Sequence, residues 1–475
     1  MDQKKKKQIV ILGILIAAML IVLAAVLIIS SAVRNGRKKT AENIYCIAVT
    51  FGEDPKTQKN FSWYTETETT GSIVQYYPVT AEEAKKNEFD AAKAAQTEGF
   101  SETVDTYLPH EGEEYSASAS LDPKSYMRHG AFVSGLTAGT RYIYRVGDGK
   151  NWSEPAVFET APDETVNREK GFSFIIVSDV QGYIYSDYEL WGNVFDQAYK
   201  KCPEAAFAVN LGDFVERQEN ALVWQYYFGI PDGFGDLTTV PVAGNKDDKM
   251  FLKYFLLGSK DGVTGLNGYY SFDYMNVHFT VVNTGDGSKD LSKAQLKWLK
   301  RDLESENSVS ATFRIVLIHK APYSDRNHAD DPDITALREQ LLPVFDEYNV
   351  DVVMEGHDHY YFRSEPVVEN GTVKAEYTTA TVNSRGENVS VFTLAENAGS
   401  AAGGVFYFMP GASGVKQHSK SFREMPEILT ARSELMTNPV FCICDITADH
   451  IYFFTYAVDR YRLMSSAVEC WGIQK

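Results

Sequence analysis

Five short stretches of this chain end in residues that could hold a metal ion. In order they are "SDVQ" with Asp179 and Gln181, "LGDF" with Asp213, "AGNKD" with Asn245, "LIHK" with His319, and "GHDH" with His357 and His359. Carboxylate, amide and imidazole ligands suit manganese, iron or zinc better than soft copper. A single Asp or His after a strand says little, because such residues often cap turns and helices. Five such stations in one chain argue for a metal site, and metal-assisted hydrolysis is the chemistry a site of this composition serves.

The stations need elements that bring them together. From Phe172 onward the pattern alternates: "FSFIIVSD" reads as a buried strand, "YELWGNVFDQAYKK" as a helix and "AAFAVNLGD" as a strand. "TTVPVAG" reads as a short strand, "SKAQLKWLKRDLESE" as a helix and "FRIVLIHKAP" as a strand. A further helix, "DITALREQLLPVFDEYNV", leads into the strand "DVVMEGHDH". Alternation of this kind predicts an α/β fold with ligands in loops at the carboxyl ends of strands. The Gly/Ala/Ser-rich stretch 383–404 reads as a flexible loop, and "FCICDITADHIYFFTYAVD" as closing strands.

Residues 43–161 read instead as a separate all-β domain. "FSWYTETETTGSIVQYYP" alternates like strands split by a Thr-Thr-Gly turn, and "GAFVSGLTAGTRYIYRVGDGKNWSEPAVFETAP" contains further strands and turns. "AEEAKKNEFDAAKAAQ" (81–96) has helical composition and reads as a surface insertion. "PDETVNREKG" is a polar linker, after which residues 172–475 form the second domain.

Residues 1–39 stand apart. A basic tail (Lys4 to Lys7) precedes 21 uncharged residues, Ile9 to Ile29, and Arg34, Arg37, Lys38 and Lys39 follow. That length matches the ~20 residues of a membrane-spanning helix and exceeds the roughly 7–15 of a cleavable signal peptide. The expectation is a single-pass signal anchor with the large domain outside the cell. Charges balance across the span, so the orientation rests on the short tail rather than on the positive-inside rule. The first 39 residues carry a net +7, which leaves −25 on the body of a chain whose total is −18. So anionic a body does not bind nucleic acid through phosphate contacts. The five cysteines (Cys46, Cys202, Cys442, Cys444 and Cys470) have no zinc-site spacing and require no disulfide. Oligomeric state is not legible.

The phrases "GLTAGTRYIYRVGDG" and "WSEPAVFET" resemble the fibronectin type III-like domain of purple acid phosphatases. The five stations resemble the DxG/DxH, GDxx(Y), GNH(D/E), VxxH and GHxH series of the calcineurin-like metallophosphoesterases. The resemblance implies a four-layer αββα sandwich behind the β domain, with two divalent or mixed-valence metal ions (Fe, Mn or Zn). It assigns Asp213 as the bridging ligand, Asp179 and His359 to the first metal, and Asn245, His319 and His357 to the second. It implies attack on a phosphate ester by a metal-bound hydroxide. Three departures stand out: Gln181 replaces a histidine, Glu216 stands where a ligating tyrosine is usual, and Lys246 replaces the histidine that contacts phosphate. Gln181 is a neutral, weaker ligand, and Glu216 is either a new carboxylate ligand or a solvated loop residue. A lysine keeps positive charge near an oxyanion, but its ordinary pKa of about 10.4 suits general-acid work at neutral pH poorly. His328, nine residues after His319, lies where plant relatives carry a substrate-contacting histidine. Tyr323 and Arg326 in the same loop are weaker candidates for phosphate contact, and Asp247, which in the family orients the missing histidine, is expected to pair with Lys246 instead. The expected function is a membrane-anchored phosphoesterase. The alternative is a surface-binding protein that has lost turnover through the changes at Gln181 and Lys246.

Overall fold

The computed structural model describes residues 44–69, 71–110, 120–163, 171–258, 265, 267–326, 328–395, 403–417, 425, 428–459 and 462–475, without the side chains of 462–466. The expected membrane anchor, residues 1–39, lies outside these; among the described residues no helix is long and apolar enough to cross a membrane.

The first domain is a sandwich of two four-stranded antiparallel sheets. One runs Tyr45–Phe51, Lys59–Thr65, Leu121–Val133, Phe100–Pro109; the other runs Ala95–Glu98, Ile73–Pro78, Arg141–Gly147, Ala156–Glu159. The two strands flanking the Thr-Thr-Gly stretch therefore fall in different sheets, so they are not a hairpin. The helix expected over 81–96 is only one turn, Ala81–Ala84, closed by a capping box between Thr80 and Glu83. The rest of that stretch reaches the edge strand Ala95–Glu98, which pairs with Ile73–Pro78. Alanine and lysine favour helix, but propensity is a small term, and pairing at a sheet edge outweighs it there.

The second domain has two mixed sheets packed face to face. One has the order Thr238–Pro241, Phe207–Asn210, Phe172–Val177, Val440–Ile446, His450–Asp459, Arg462–Gln474, Glu387–Leu394, Tyr377–Ser384. The other runs Tyr270–Tyr274, Val277–Val282, Phe313–Ile318, Val352–Met354, Phe406–Met409, Tyr361–Ser364, Thr430–Glu434. The stretch expected as a loop over 383–404 instead supplies the strand Glu387–Leu394, which forms a hairpin with Tyr377–Ser384 through a turn at Arg385 and Gly386.

The period of two in the second sheet explains the layers. Phe279, Val281, Ile315, Leu317, Val352, Met354, Phe406 and Phe408 join the core between the sheets. Their neighbours Val282, Val316, Ile318, Val353, Tyr407 and Met409 pack on the other face with Leu299, Leu303, Leu341 and Phe345 of the helices Lys293–Leu303 and Pro332–Glu347. Helices Tyr185–Lys201 and Ala221–Gly229 cover the first sheet through Trp191, Phe195, Trp224 and Tyr227. Strands with both faces buried read as unbroken apolar runs, as these do.

The two domains share a core. Cys46, Ala48, Phe51 and Tyr64 of the sandwich belong to the cluster that fills the second domain. Polar seams join them: Asn60 Nδ2 donates to the Gly258 carbonyl at 2.7 Å, and Tyr144 Oη donates to the Gly235 carbonyl at 2.9 Å. Lys59 is fully buried in this seam, its Nζ donating to Thr238 Oγ1 at 2.7 Å and lying 3.9 Å over the Phe51 ring.

Candidate metal centre

The parallel strands Phe172–Val177, Phe207–Asn210 and Thr238–Pro241 end at Asp179, Asp213 and Asn245. The parallel strands Phe313–Ile318 and Val352–Met354 of the facing sheet end at His319 and at His357 and His359. Packing the sheets face to face brings the five carboxyl-terminal loops to one end of the sandwich. Asp179, Asp213 and His319 offer ligand atoms that all lie within 4.8 Å of one another, and all three residues are buried.

The remaining stations attach to this triad. His359 Nε2 lies 3.2 Å from Asp179 Oδ1, and the His357 backbone N–H donates to both Asp179 carboxylate oxygens at 3.0 and 3.2 Å. Gln181 Nε2 donates to Asp213 Oδ2 in a close contact. His319 Nε2 lies 3.4 Å from Asp213 Oδ1 and 3.0 Å from Asn245 Oδ1. The His357 and His319 rings are 5.2 Å apart.

Backbone strain is concentrated here. Asp179, Gln181, Asp213, His357 and His359 all have positive φ, from 38° to 76°. For residues other than glycine this costs on the order of 1–3 kcal/mol each and is held only where the surroundings enforce it. Gly212 (φ +101°) has no such cost, and a Cβ there would lie 2.6 Å from His319 Nδ1. Gly356 is as closely enclosed, with Ser178 Oγ 2.5 Å from the place of a Cβ.

The hydrogen bonds test whether these residues fit a cation. His319 Nδ1 faces the Leu211 carbonyl at 2.7 Å. A carbonyl only accepts, so Nδ1 carries a proton, and Nε2, turned toward Asn245 Oδ1 and Asp213 Oδ1, is the nitrogen left to serve as a metal ligand. His359 Nδ1 faces the Lys416 carbonyl at 3.0 Å, so Nε2 is the nitrogen turned to Asp179; burial lowers the pKa of this imidazole, but the Asp179 carboxylate prevails and raises it. Backbone carbonyls that set the tautomer of a ligating histidine are a regular feature of metal sites. Carboxylate, amide and imidazole ligand atoms that converge away from solvent fit a positive ion, which would take the place of the ring protons between them. Burial keeps the His357 imidazole well below its ordinary pKa, with His319 adding to the effect, so it remains a neutral ligand. Burial also pushes Asp213 upward, and Asp179 beside it adds to this, as expected of two carboxylates sharing a pocket before a cation neutralises them.

Other expected residues take different roles. Asp247 does not pair with Lys246. Its buried carboxylate accepts three backbone N–H groups, from Asp213 (2.8 Å), Gly244 (3.0 Å) and Phe214 (3.0 Å). It thus ties the Asn245 loop to the Asp213 loop. The Lys246 backbone N–H donates to Asp213 Oδ1 at 2.8 Å, while its half-exposed ammonium lies 3.7 Å from Glu216 Oε1. Glu216 is neither among the triad nor solvated: Lys246 and Lys416 hold it from two sides. The His328 ring lies 4.4 Å from that of His357, and its Nδ1 meets Asp331 Oδ2 at 2.7 Å. Asp358, within "GHDH", accepts the His328 backbone N–H at 3.2 Å.

Tyr323 and Arg326 point elsewhere. Tyr323 is buried against Tyr407 and donates to the Gly371 carbonyl at 2.8 Å. Arg326 donates to Ser433 Oγ at 2.8 Å and lies over the Tyr360 ring. Two participants had no sequence signal. Lys416 reaches the site only because the loop after Phe406–Met409 folds against His359, 57 residues away in the chain. Ser178 donates to Asp179 Oδ2 at 2.5 Å, but one serine before an aspartate is too common to mark a site. All five cysteines are free thiols.

Comparison with known proteins agrees with this geometry. Residues 44–160 match the profile described as purple acid phosphatase, N-terminal domain, and residues 172–361 match calcineurin-like phosphoesterase. The chain is 26% identical over 249 residues to purple acid phosphatase 22 of Arabidopsis thaliana, covering 52% of this chain and 56% of that protein. It is 25% identical over 293 residues to the Fe(3+)-Zn(2+) purple acid phosphatase 12 of the same plant, covering 56% of this chain and 60% of that protein. The chain thus spans somewhat over half the length of these relatives. Among solved structures, a purple acid phosphatase from yellow lupin (Lupinus luteus) seeds shares the fold, with a TM-score of 0.66 at 14% identity over 91% of this chain and 74% of that one. The chain therefore carries the N-terminal domain of the purple acid phosphatases followed by a calcineurin-like metallophosphoesterase domain.

Proposed function

We propose that this protein hydrolyses phosphate esters at a dinuclear metal centre, and that residues 9–29 anchor it in the cell membrane with both folded domains outside. The observation that carries the reading is the set of converging ligand atoms: two buried carboxylates, the Asn245 amide and imidazoles whose Nδ1 atoms are tied to carbonyls, leaving Nε2 for a metal. Asp179, Gln181 and His359 would hold one ion, Asn245, His319 and His357 the other, with Asp213 shared. Metal ions bound there would supply charge neutralisation for the phosphoryl group and a lowered pKa for a coordinated water.

The chain's own residues do the rest. Asp247 fixes the two loops that present Asp213 and Asn245. Lys246, on the Asn245 loop, brings positive charge to the rim beside Asp213, to which its backbone N–H donates. Hydrolysis breaks the P–O bond to the leaving group, whose oxygen then takes up a proton. His328 is the donor in this reading: Asp331 engages its Nδ1, and its ring adjoins His357. An imidazole exchanges protons near neutral pH far more readily than a lysine ammonium.

The test is p-nitrophenyl phosphate hydrolysis by the detergent-solubilised full chain supplied with Mn, Fe or Zn. Metal content is measured alongside, and Lys246→His is run in parallel. Asp213→Asn is expected to remove both activity and bound metal; an unchanged rate refutes the assignment. A second reading, a metal-binding surface protein without turnover, is favoured by the engagement of Lys246 with Glu216. It predicts one metal per chain and activity only in the Lys246→His variant.

A further inference from the structure

The Glu216 carboxylate lies between two lysines on the rim of the metal centre. Its Oε1 is 3.7 Å from Lys246 Nζ and its Oε2 takes a close ion pair with Lys416 Nζ. Each lysine is rooted in the ligand set through its backbone: the Lys246 N–H donates to Asp213 Oδ1, and the Lys416 carbonyl accepts from His359 Nδ1. A parallel bridge between Gly182 and Val215 holds the Glu216 loop against the Gln181 loop, and the Tyr183 ring lies 4.9 Å beneath the Lys416 ammonium. The glutamate side chain is 14% exposed, whereas those of Lys246 and Lys416 are 38% and 28% exposed.

We propose that Glu216 is an internal anion that occupies the two lysines until a phosphoryl group displaces it, and that Lys416 is then a second cation on the phosphate. This rests on the phosphoesterase reading and adds two specificity residues to it. The Lys246 arm is long and its side chain 38% exposed, so it is weak; the closer and more enclosed Lys416 arm is the one a phosphoryl group must outcompete, with the metal ions helping it. A phosphoryl oxygen meeting both ammonium groups and the ions gains more than one meeting Lys246 alone. Glu216 meanwhile keeps two like charges together in the free protein and raises the anion concentration needed to fill the site.

The experiment is calorimetric titration of inorganic phosphate into the zinc-loaded full chain, with metal content measured for each variant. Glu216→Gln should tighten phosphate binding about tenfold with two metals retained, and Glu216→Ala should act in the same direction. Lys416→Met added to Glu216→Gln should reverse the gain; because a backbone carbonyl engages His359, this change leaves that ligand's orientation intact. Equal or weaker phosphate binding by both Glu216 variants at full metal content overturns the proposal while leaving the phosphoesterase reading standing. Loss of a metal from both Glu216 variants also overturns it, since Glu216 would then be a ligand. Absence of phosphate binding in every variant, with no turnover by the wild type, overturns both readings.

Discussion

Asp247 offers the sharpest energetic test of how this site is built. It precedes the short helix Asp248–Tyr254 but does not cap it with its side chain. Its carboxylate instead takes three N–H groups from two ligand-bearing loops, and it is completely buried. Hydrogen bonds to a charged acceptor contribute about 1.5–3 kcal/mol each, and the desolvation of the buried carboxylate offsets several kcal/mol of that sum. Asp247→Ala leaves three buried donors unmet, so its expected cost is about 3–5 kcal/mol, the range for removing one partner of a buried charged network. Asp247→Asn can set its single oxygen where Oδ2 serves Asp213 and Gly244, but its NH2 then faces the Phe214 N–H, so that bond is lost and two donors oppose each other. Its expected cost is about 1–3 kcal/mol. Denaturant unfolding followed by tryptophan fluorescence, with a chelator present, measures both without any contribution from bound metal. Zinc affinity in the absence of chelator should fall at least about tenfold in both variants, because the loops presenting Asp213 and Asn245 lose their tie. A cost under about 1 kcal/mol for the alanine variant, or an asparagine variant less stable than it, refutes the reasoning.

Three further outcomes are expected. His278 is buried between Asp273 (2.7 Å) and Asp302 (3.1 Å); burial lowers its pKa, but the two carboxylates prevail and bring it to about 9. A raised histidine pKa stabilises fully below the unfolded value near 6.5 and is lost as pH rises through about 9; His278→Gln should therefore cost about 2–3 kcal/mol at pH 6 and little at pH 10, and equal losses at both would contradict this. Burial holds the Lys59 ammonium well below its ordinary pKa, with Glu159 opposing, so the folded state binds fewer protons and stability rises with pH toward about 10.5. Lys59→Met should stabilise by about 1 kcal/mol at pH 7 and flatten that rise; a destabilised variant with the rise intact, in denaturation at pH 7 and pH 10, would contradict it. Gly212→Ala, which sets a methyl 2.6 Å from His319 Nδ1 at φ +101°, should cost about 2–4 kcal/mol and deplete bound metal; full metal content would show that the loop yields.

The sequence by itself determined the ligand types, their order and the alternation of strands that carries them. Each station follows a strand immediately, and local chain direction is enough to put it at that strand's carboxyl end. The apolar runs also revealed the buried strands, because a strand enclosed on both faces carries few polar residues. The rest depended on contacts between distant segments. The alanine-, lysine- and glutamate-rich stretch 81–96 has helical composition, yet only one turn of it is helix, and its last two residues, Ala95 and Gln96, pair as strand with a neighbouring edge. The Gly/Ala/Ser-rich stretch from 383 holds "VSVFTL", and pairing with Tyr377–Ser384 turned it into sheet. Asp247 could be read beside Lys246, but only the fold shows that its oxygens turn inward to backbone N–H groups of another loop. Tyr323 and Arg326 lie in the expected loop and point away from the site, since side-chain direction follows from packing rather than spacing. Lys416 and its pairing with Glu216 had no local signature at all. Residue types and strand periodicity are properties of short segments and survive in the sequence; which acceptor faces which proton is decided only when two sheets close on each other.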